Sequence, residues 1–295
     1  MPERDRDPGK IYSGSRYLLM KDEAGARALI FSHIPKTAGT TLRTQLIRQY
    51  PADAVFSIED ADWIARNAEF AALPEAQRRR IRCLIGHVPF GIDRLLPQGA
   101  RYITMMRDPV DWTLSLFTVV REREMRIPIL AAAARQRITL EAFPAFLSEH
   151  GLANLQTRFI AGEVALDAMQ PPYPPLSPGS LEHARSHLDD AYVAVGLVER
   201  FDESALLMQR RCGWRSLYYR YRNRTPGRRG ADSLSDRLRA QIEACHDLDM
   251  RLYAEAGRRL EQQLAAEVPD RGAALRRLRW RNRAYTTAAR LLRRR

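Results

Sequence analysis

The feature that most constrains this sequence is a succession of short, unbroken apolar runs separated by longer stretches of helical periodicity. Ala28 to His33 (ALIFSH), Arg82 to Gly86 (RCLIG), Arg101 to Met106 (RYITMM) and Tyr192 to Val198 (YVAVGLV) are too short for buried helices and lack an alternating polar face. Runs of this kind suit strands covered on both sides, the parallel strands of an α/β sheet. Between them, Thr41 to Tyr50, Pro109 to Arg123, and 139–149, 153–162 and 179–189 read as helices. Asp108-Pro109 is a helix start, with Asp at the N-cap and Pro at the first helical position. Asp202 is expected to cap a helix through Cys212, and Leu238, Ile242, Cys245, Leu248 and Leu252 recur at helical spacing within 234–264. Pro171, Pro172, Pro174, Pro175 and Pro178 exclude regular structure from the segment that holds them. The expected fold class is α/β: a doubly wound, mainly parallel sheet flanked by helices.

At 295 residues and 45% apolar content the chain is long enough for one large domain with a sizeable core. The expected division is a loose polar leader at 1–15, a main domain at 16–270 and a basic tail at 271–295. The formal charge of +13 points to an anionic ligand or surface. Arginine supplies nearly all of it, since the lysines are Lys10, Lys21 and Lys36. No apolar run approaches the ~20 residues that span a bilayer, and the polar Met1 to Lys10 segment is no signal peptide. Cys83, Cys212 and Cys245 are odd in number and widely spaced, which suits free thiols in a reducing cytoplasm.

Ser32 to Thr41 (SHIPKTAGTT) carries the densest chemistry. It follows a strand and opens a helix, where unpaired backbone N–H groups bind phosphate. Gly39 permits close approach, Thr37, Thr40 and Thr41 add hydroxyls, and Lys36 adds a compact cation. The order differs from G-x-x-x-x-G-K-[ST], because Lys36 precedes Gly39 and no glycine lies upstream in the loop. The plain alternative is a capped helix with an exposed lysine. A second segment, Met106 to Val110 (MRDPV) with Ser115 eight residues after Arg107, places an arginine at a strand end and a hydroxyl about two turns into the next helix. An arginine and a hydroxyl together suit a phosphate monoester.

These two segments, in this order, resemble the 5'-phosphosulfate loop and the 3'-phosphate site of sulfotransferases that use 3'-phosphoadenosine 5'-phosphosulfate (PAPS). The nearest resemblance is to the branch of the heparan sulfate 2-O- and 6-O-sulfotransferases and their bacterial relatives. It spans roughly residues 28 to 230 and implies a P-loop-like fold. It also implies that Lys36, Thr37, Ala38, Gly39, Thr40 and Thr41 hold the 5'-phosphosulfate, Lys36 also acting in catalysis, and that Arg107 and Ser115 hold the 3'-phosphate. Gly86-His87-Val88-Pro89-Phe90 is similar to the Gly-His-Val-x-Phe segment of the 2-O-sulfotransferases, which implies that His87 is the catalytic base. His33, beside Lys36, is its rival. His150, His183, His187 and His246 read as surface residues.

Two weaker echoes accompany these. Asn154 to Arg158 (NLQTR) could set Arg158 near an anionic substrate or simply cap a helix. The basic loop Arg222 to Gly230, with Arg228, Arg229 and Gly230, is similar to the loop that closes over the nucleotide in related enzymes. The resemblance implies metal-independent, in-line transfer of a sulfuryl group from PAPS to a hydroxyl, on a glycan or glycolipid. The alternatives are a P-loop-type kinase using ATP and a basic nucleic-acid-binding protein, for which no recognition motif is found. From Arg271 onward the chain has ten arginines and no acid. Leu275, Leu278, Asn282, Tyr285, Ala289 and Leu292 would share one side of a helix. Such a helix could lie on an anionic membrane or pack on the main domain.

Overall fold

The computed structural model describes residues 27–58, 63–122, 125, 127–164, 171–220 and 231–291. The 1–15 leader, Arg228, Arg229, Gly230 and Leu292 lie outside these residues. Five strands, β1 (Ala28–Ser32), β2 (Val55–Ile58), β3 (Cys83–Gly86), β4 (Ala100–Met106) and β5 (Tyr192–Leu197), form one parallel sheet in the order β2-β3-β1-β4-β5. The helices are α1 (Gly39–Leu46), α2 (Trp63–Ala72), α3 (Glu75–Arg80), α4 (Pro109–Glu122), α5 (Pro128–Arg135), α6 (Phe143–Glu149), α7 (Leu155–Ala161), α8 (Ser180–Asp190), α9 (Phe201–Cys212), α10 (Asp236–Cys245), α11 (Asp247–Glu267) and α12 (Arg271–Leu291).

The strands are apolar throughout because both faces of the sheet are covered. In β1, Ala28 and Ile30 join one core with Leu84, Tyr102, Trp112 and Phe159. Leu29 and Phe31 face the other way, into a core with Ile85, Ile103, Met105 and Phe201. Each fully buried aliphatic or aromatic side chain contributes about 1.5–3 kcal/mol, and Ile30, Phe31, Leu84 and Ile103 are all wholly buried.

The strand order fixes where a ligand can sit. After β1 the chain turns toward β2 and β3; after β4 it turns the other way, toward β5. Neighbouring strands whose connections diverge leave a crevice at their carboxyl ends, the usual ligand position in such sheets. The loops after β1 and β4, which carry Lys36 and Arg107, flank that crevice. The loop after β3, with His87, adjoins it.

Several local expectations differ from the structure. Residues 234–264 form two helices, because the backbone breaks at His246 (φ −118, ψ 36). His246 is wholly buried and not a surface residue, and half-buried His187 stacks on Phe90 at 3.6 Å. Asp202 does not cap α9, which begins at Phe201. Its carboxylate instead accepts the Tyr219 hydroxyl at 2.6 Å and pairs with Arg279 at 3.0 Å. Strand β2 was not expected.

Helix α12 packs on the rest of the chain through its apolar stripe. Leu278 is buried, Asn282 Oδ1 accepts the Tyr219 N–H at 2.8 Å, and the Tyr285 ring meets that of Tyr218 at 4.8 Å. The opposite side faces solvent, with Trp280 70% exposed among Arg276, Arg277, Arg281 and Arg283. Among the described residues, no helix is long and apolar enough to cross a membrane.

Candidate nucleotide and sulfuryl-transfer site

The loop after β1 is strained. Lys36 (φ 70) and Ala38 (φ 61) both occupy the left-handed region, at roughly 1–2 kcal/mol each for residues with a Cβ. Alternating hand across Lys36, Thr37 and Ala38 is the backbone pattern of an anion-binding concavity, although the Thr37 N–H itself donates to the Ile34 carbonyl at 3.4 Å. The loop runs directly into α1, where the Thr41 N–H donates to the Ala38 carbonyl at 3.1 Å and the N–H groups of Ala38 and Gly39 precede the first turn. Concavity and helix terminus therefore point at one place, and an anion there would offset the strain.

Neighbouring elements hold this conformation. Trp112 Nε1 of α4 donates to the Pro35 carbonyl at 2.7 Å, and Arg107 Nη1 donates to the Lys36 carbonyl at 3.1 Å. Thr37 is buried and donates its hydroxyl to the Ile34 carbonyl at 2.7 Å, so that hydroxyl proton shapes the loop instead of facing an anion. Ser32 Oγ donates to the Val88 carbonyl at 2.6 Å, and Thr104 Oγ1 donates to the Ser32 carbonyl at 2.7 Å. These buried hydroxyls fasten together the ends of β1, β3 and β4.

Gly39 is required by its neighbour. A Cβ at this position would lie 1.8 Å from Nε2 of His33, whose ring covers the start of α1. His33 is 8% exposed and stacks on His87, with ring centroids 4.4 Å apart. His87 Nδ1 lies 2.7 Å from the His33 carbonyl oxygen. A carbonyl only accepts, so neutral His87 carries its proton on Nδ1 and keeps the Nε2 lone pair. His87 and its rival His33 are thus joined: the His33 backbone sets the tautomer of His87.

Arg107 stands at the end of β4. The Asp108 carboxylate accepts the N–H groups of Val110 and Asp111, both at 3.0 Å, capping α4 as expected. The Arg107 guanidinium is largely buried, and desolvation lowers its pKa, opposed by Asp111 and Glu199. Its Nε lies 4.0 Å from Glu199 Oε1 and has no hydrogen-bond partner. Such an under-satisfied buried guanidinium fits a phosphate ligand. Ser115 is half-buried, one turn beyond Asp111 on α4; no hydrogen bond joins it to Arg107.

Arg158 lies within α7. At 2% exposure it lies beneath Tyr173, 5.5 Å from that ring centroid, with Nη1 donating to the Glu163 carbonyl at 3.3 Å. Burial lowers its pKa, offset chiefly by Glu163. The structure thus joins Lys36, Gly39, His33, His87 and Arg107 in one connected region, while the contacts of Arg158 run to Tyr173 and Glu163. Sequence reasoning missed the residues that support them: Trp112, Gln156, Glu199 and Asp249. The Asn154–Arg158 segment was noticed, but for Arg158 instead of Gln156.

A strained, cationic loop and a buried arginine on the two sides of a switch-point crevice define a class of nucleotide-dependent group-transfer enzyme. Comparison with known proteins supplies the family. The chain matches the galactose-3-O-sulfotransferase family over residues 20–289 and belongs to it. It is therefore a sulfotransferase, and its sulfuryl donor is PAPS. Among solved structures it is similar to mouse sulfotransferase SULT7A1 complexed with PAP, at 14% identity and a TM-score of 0.34, covering 88% of this chain and 93% of that chain. No curated protein matches it.

Proposed function

We propose that this enzyme sulfates the 3-hydroxyl of a galactose unit on a glycan or glycolipid. The observation that carries the site assignment is the junction of the Lys36 loop, His87 and Arg107 at one crevice. Bound PAPS supplies an activated sulfuryl group whose leaving nucleotide gains negative charge. Of the backbone amides of residues 37–41, those of Thr37 and Thr41 are taken by the Ile34 and Ala38 carbonyls, so those of Ala38 and Gly39 hold the 5'-phosphosulfate, and Lys36 stabilises the charge that develops there. Arg107, with Ser115 beyond it on α4, takes the 3'-phosphate. His87 accepts the acceptor hydroxyl proton at Nε2, the nitrogen its tautomer leaves unprotonated. Arg158 belongs to the acceptor side, as a cation behind Tyr173.

Galactose is preferred over a heparan-type acceptor because the family match runs along nearly the whole chain. The heparan sulfate resemblance rests on the His87 segment and two short loops. The test is transfer of radiolabelled sulfuryl from PAPS to terminal β-galactosides, glucosides and heparan oligosaccharides, with linkage analysis of the product. Label confined to galactose O3 supports the reading; label only on galactose-free acceptors overturns it. Thermal stabilisation by adenosine 3',5'-bisphosphate (PAP), set against ATP with Mg²⁺ and against duplex DNA, separates it from kinase and nucleic-acid readings.

The outward face of α12 supports a second element of the reading, contact with an anionic membrane surface in the cytoplasm. Trp280 lies at the centre of that face, flanked by Arg276, Arg277, Arg281 and Arg283. Tryptophan favours the headgroup level, and each arginine there contributes about 1 kcal/mol. The apolar stripe is used for packing, so contact would be electrostatic with one aromatic anchor. Flotation with phosphatidylglycerol vesicles should require these arginines and Trp280. Equal recovery of a variant with all four arginines changed to glutamate would refute it.

A further inference from the structure

Both backbone polar groups of Arg107 are bonded to one side chain. The Arg107 N–H donates to Gln156 Oε1 at 2.8 Å, and Gln156 Nε2 donates to the Arg107 carbonyl at 2.9 Å. Strand β4 ends at Met106, so this wholly buried amide takes the place a neighbouring strand would have had. A two-point bond fixes both peptide units that flank the Arg107 Cα, and with them the direction in which the Arg107 side chain leaves the backbone.

Gln156 is itself anchored. Its N–H donates to Asp249 Oδ2 at 3.2 Å, while the Thr157 N–H and hydroxyl donate to Oδ1 at 2.6 and 2.7 Å. Asp249 is wholly buried, and its own N–H donates to Asn154 Oδ1 at 3.0 Å. The Asn154 N–H donates to His246 Nδ1 at 3.1 Å, which places the proton of a neutral imidazole on Nε2. That nitrogen faces Thr113 Oγ1 at 3.1 Å, and the Thr113 hydroxyl donates to the Pro109 carbonyl at 2.9 Å. The start of α7 is thereby fixed between α11 and α4, two residues from Arg107.

We infer that Gln156 is a positioning residue for nucleotide recognition: anchored by Asp249, its amide sets the Arg107 peptide so that the guanidinium meets the 3'-phosphate while Nη1 stays on the Lys36 carbonyl. The inference rests on the reading of Arg107 as the 3'-phosphate residue. Losing the amide pair leaves the Arg107 side chain chemically intact but free to turn, and a displacement on the ångström scale is enough to weaken a forked charge-assisted contact.

The experiment is calorimetric titration of PAP and of adenosine 5'-phosphate, which lacks the 3'-phosphate. The proteins are wild type, Gln156→Leu, Arg107→Ala and the double variant. Gln156→Leu should weaken PAP by about 10-fold and adenosine 5'-phosphate by less than about 2-fold, with no further loss of PAP affinity in the Arg107→Ala background. Equal losses for both nucleotides, or a loss that persists without Arg107, would mean that Gln156 merely supports the fold. If Arg107→Ala itself does not separate the two nucleotides, the 3'-phosphate assignment falls first, and the inference with it. Should Gln156→Leu not fold, Gln156→Glu keeps an acceptor for the Arg107 N–H but opposes an oxygen to the Arg107 carbonyl. It should show the same selective loss, and wild-type PAP binding by that variant overturns the inference.

Discussion

The two walls of the crevice are built in opposite ways. On the β1 side the groups proposed to meet the ligand lie within about ten residues, Ser32 to Thr41, and the shape comes from two left-handed residues and a glycine forced by His33. On the β4 side Arg107 stands at the strand end, with Ser115 further along α4, and is held by Gln156, Glu199 and, through Gln156, by Asp249. One wall is a local motif; the other is built on an arginine held by distant helices. A local wall should fail abruptly when one of its own residues changes. A remotely held one should weaken by degrees as its supports are removed.

The largest effect is expected at His87, whose ring stacks on that of His33. His87→Ala should lower turnover by about 10²–10⁴-fold, the usual range for a general base, with little change in PAP affinity. An active His87→Ala together with an inactive His33→Ala would exchange the two roles. Next, Lys36→Ala should lower turnover by roughly 10²–10³-fold, as when one donor to a developing charge is removed, with the melting temperature preserved. Near-normal turnover would show that the local wall binds through its backbone alone.

On the other wall the effects should be smaller and confined to binding. Arg107→Ala should weaken PAP by about 10–100-fold, the value of one charge-assisted pair. Ser115→Ala should weaken it by less than about 10-fold, and both should spare adenosine 5'-phosphosulfate. Equal losses for the two ligands would remove the 3'-phosphate from this wall.

The same contrast explains what could be read from the sequence. Strands β1, β3, β4 and β5 were legible because burial on both faces leaves an unbroken apolar run. Strand β2 was not, since Val55, Phe56 and Ser57 are half-buried at the sheet edge and only Ile58 is fully buried. Lys36, Gly39, His87 and Arg107 sit at strand ends, where short motifs mark them. Gln156 and Asp249 do their work across 49 and 93 residues of sequence. Nothing in either neighbourhood marks a partner so far away. His246 misled for a related reason: its flanks are polar, yet Asn154 and Thr113 enclose it.

In the unaltered protein the buried supports themselves should show only an offset of opposing contributions with pH. Burial pulls the His246 pKa from 6.5 to about 4, whereas burial pushes the Asp249 carboxyl from 3.8 to about 6 against the donors of Thr157 and Gln156. Between pH 6.5 and 4 the unfolded chain protonates His246 more readily than the folded one, so acidification costs stability through this residue. Between pH 6 and 3.8 the folded chain holds a proton on Asp249 more readily, so acidification adds stability there. Each contribution is on the order of 3 kcal/mol and the signs are opposite, so the two offset each other. His246→Asn keeps an oxygen for the Asn154 N–H and removes only the first contribution. Measured by urea unfolding, the variant should gain on wild type by up to about 3 kcal/mol between pH 7 and pH 4. A stability difference that stays constant with pH would show that His246 is not held neutral, and that the remote wall lacks the dry polar support assigned to it.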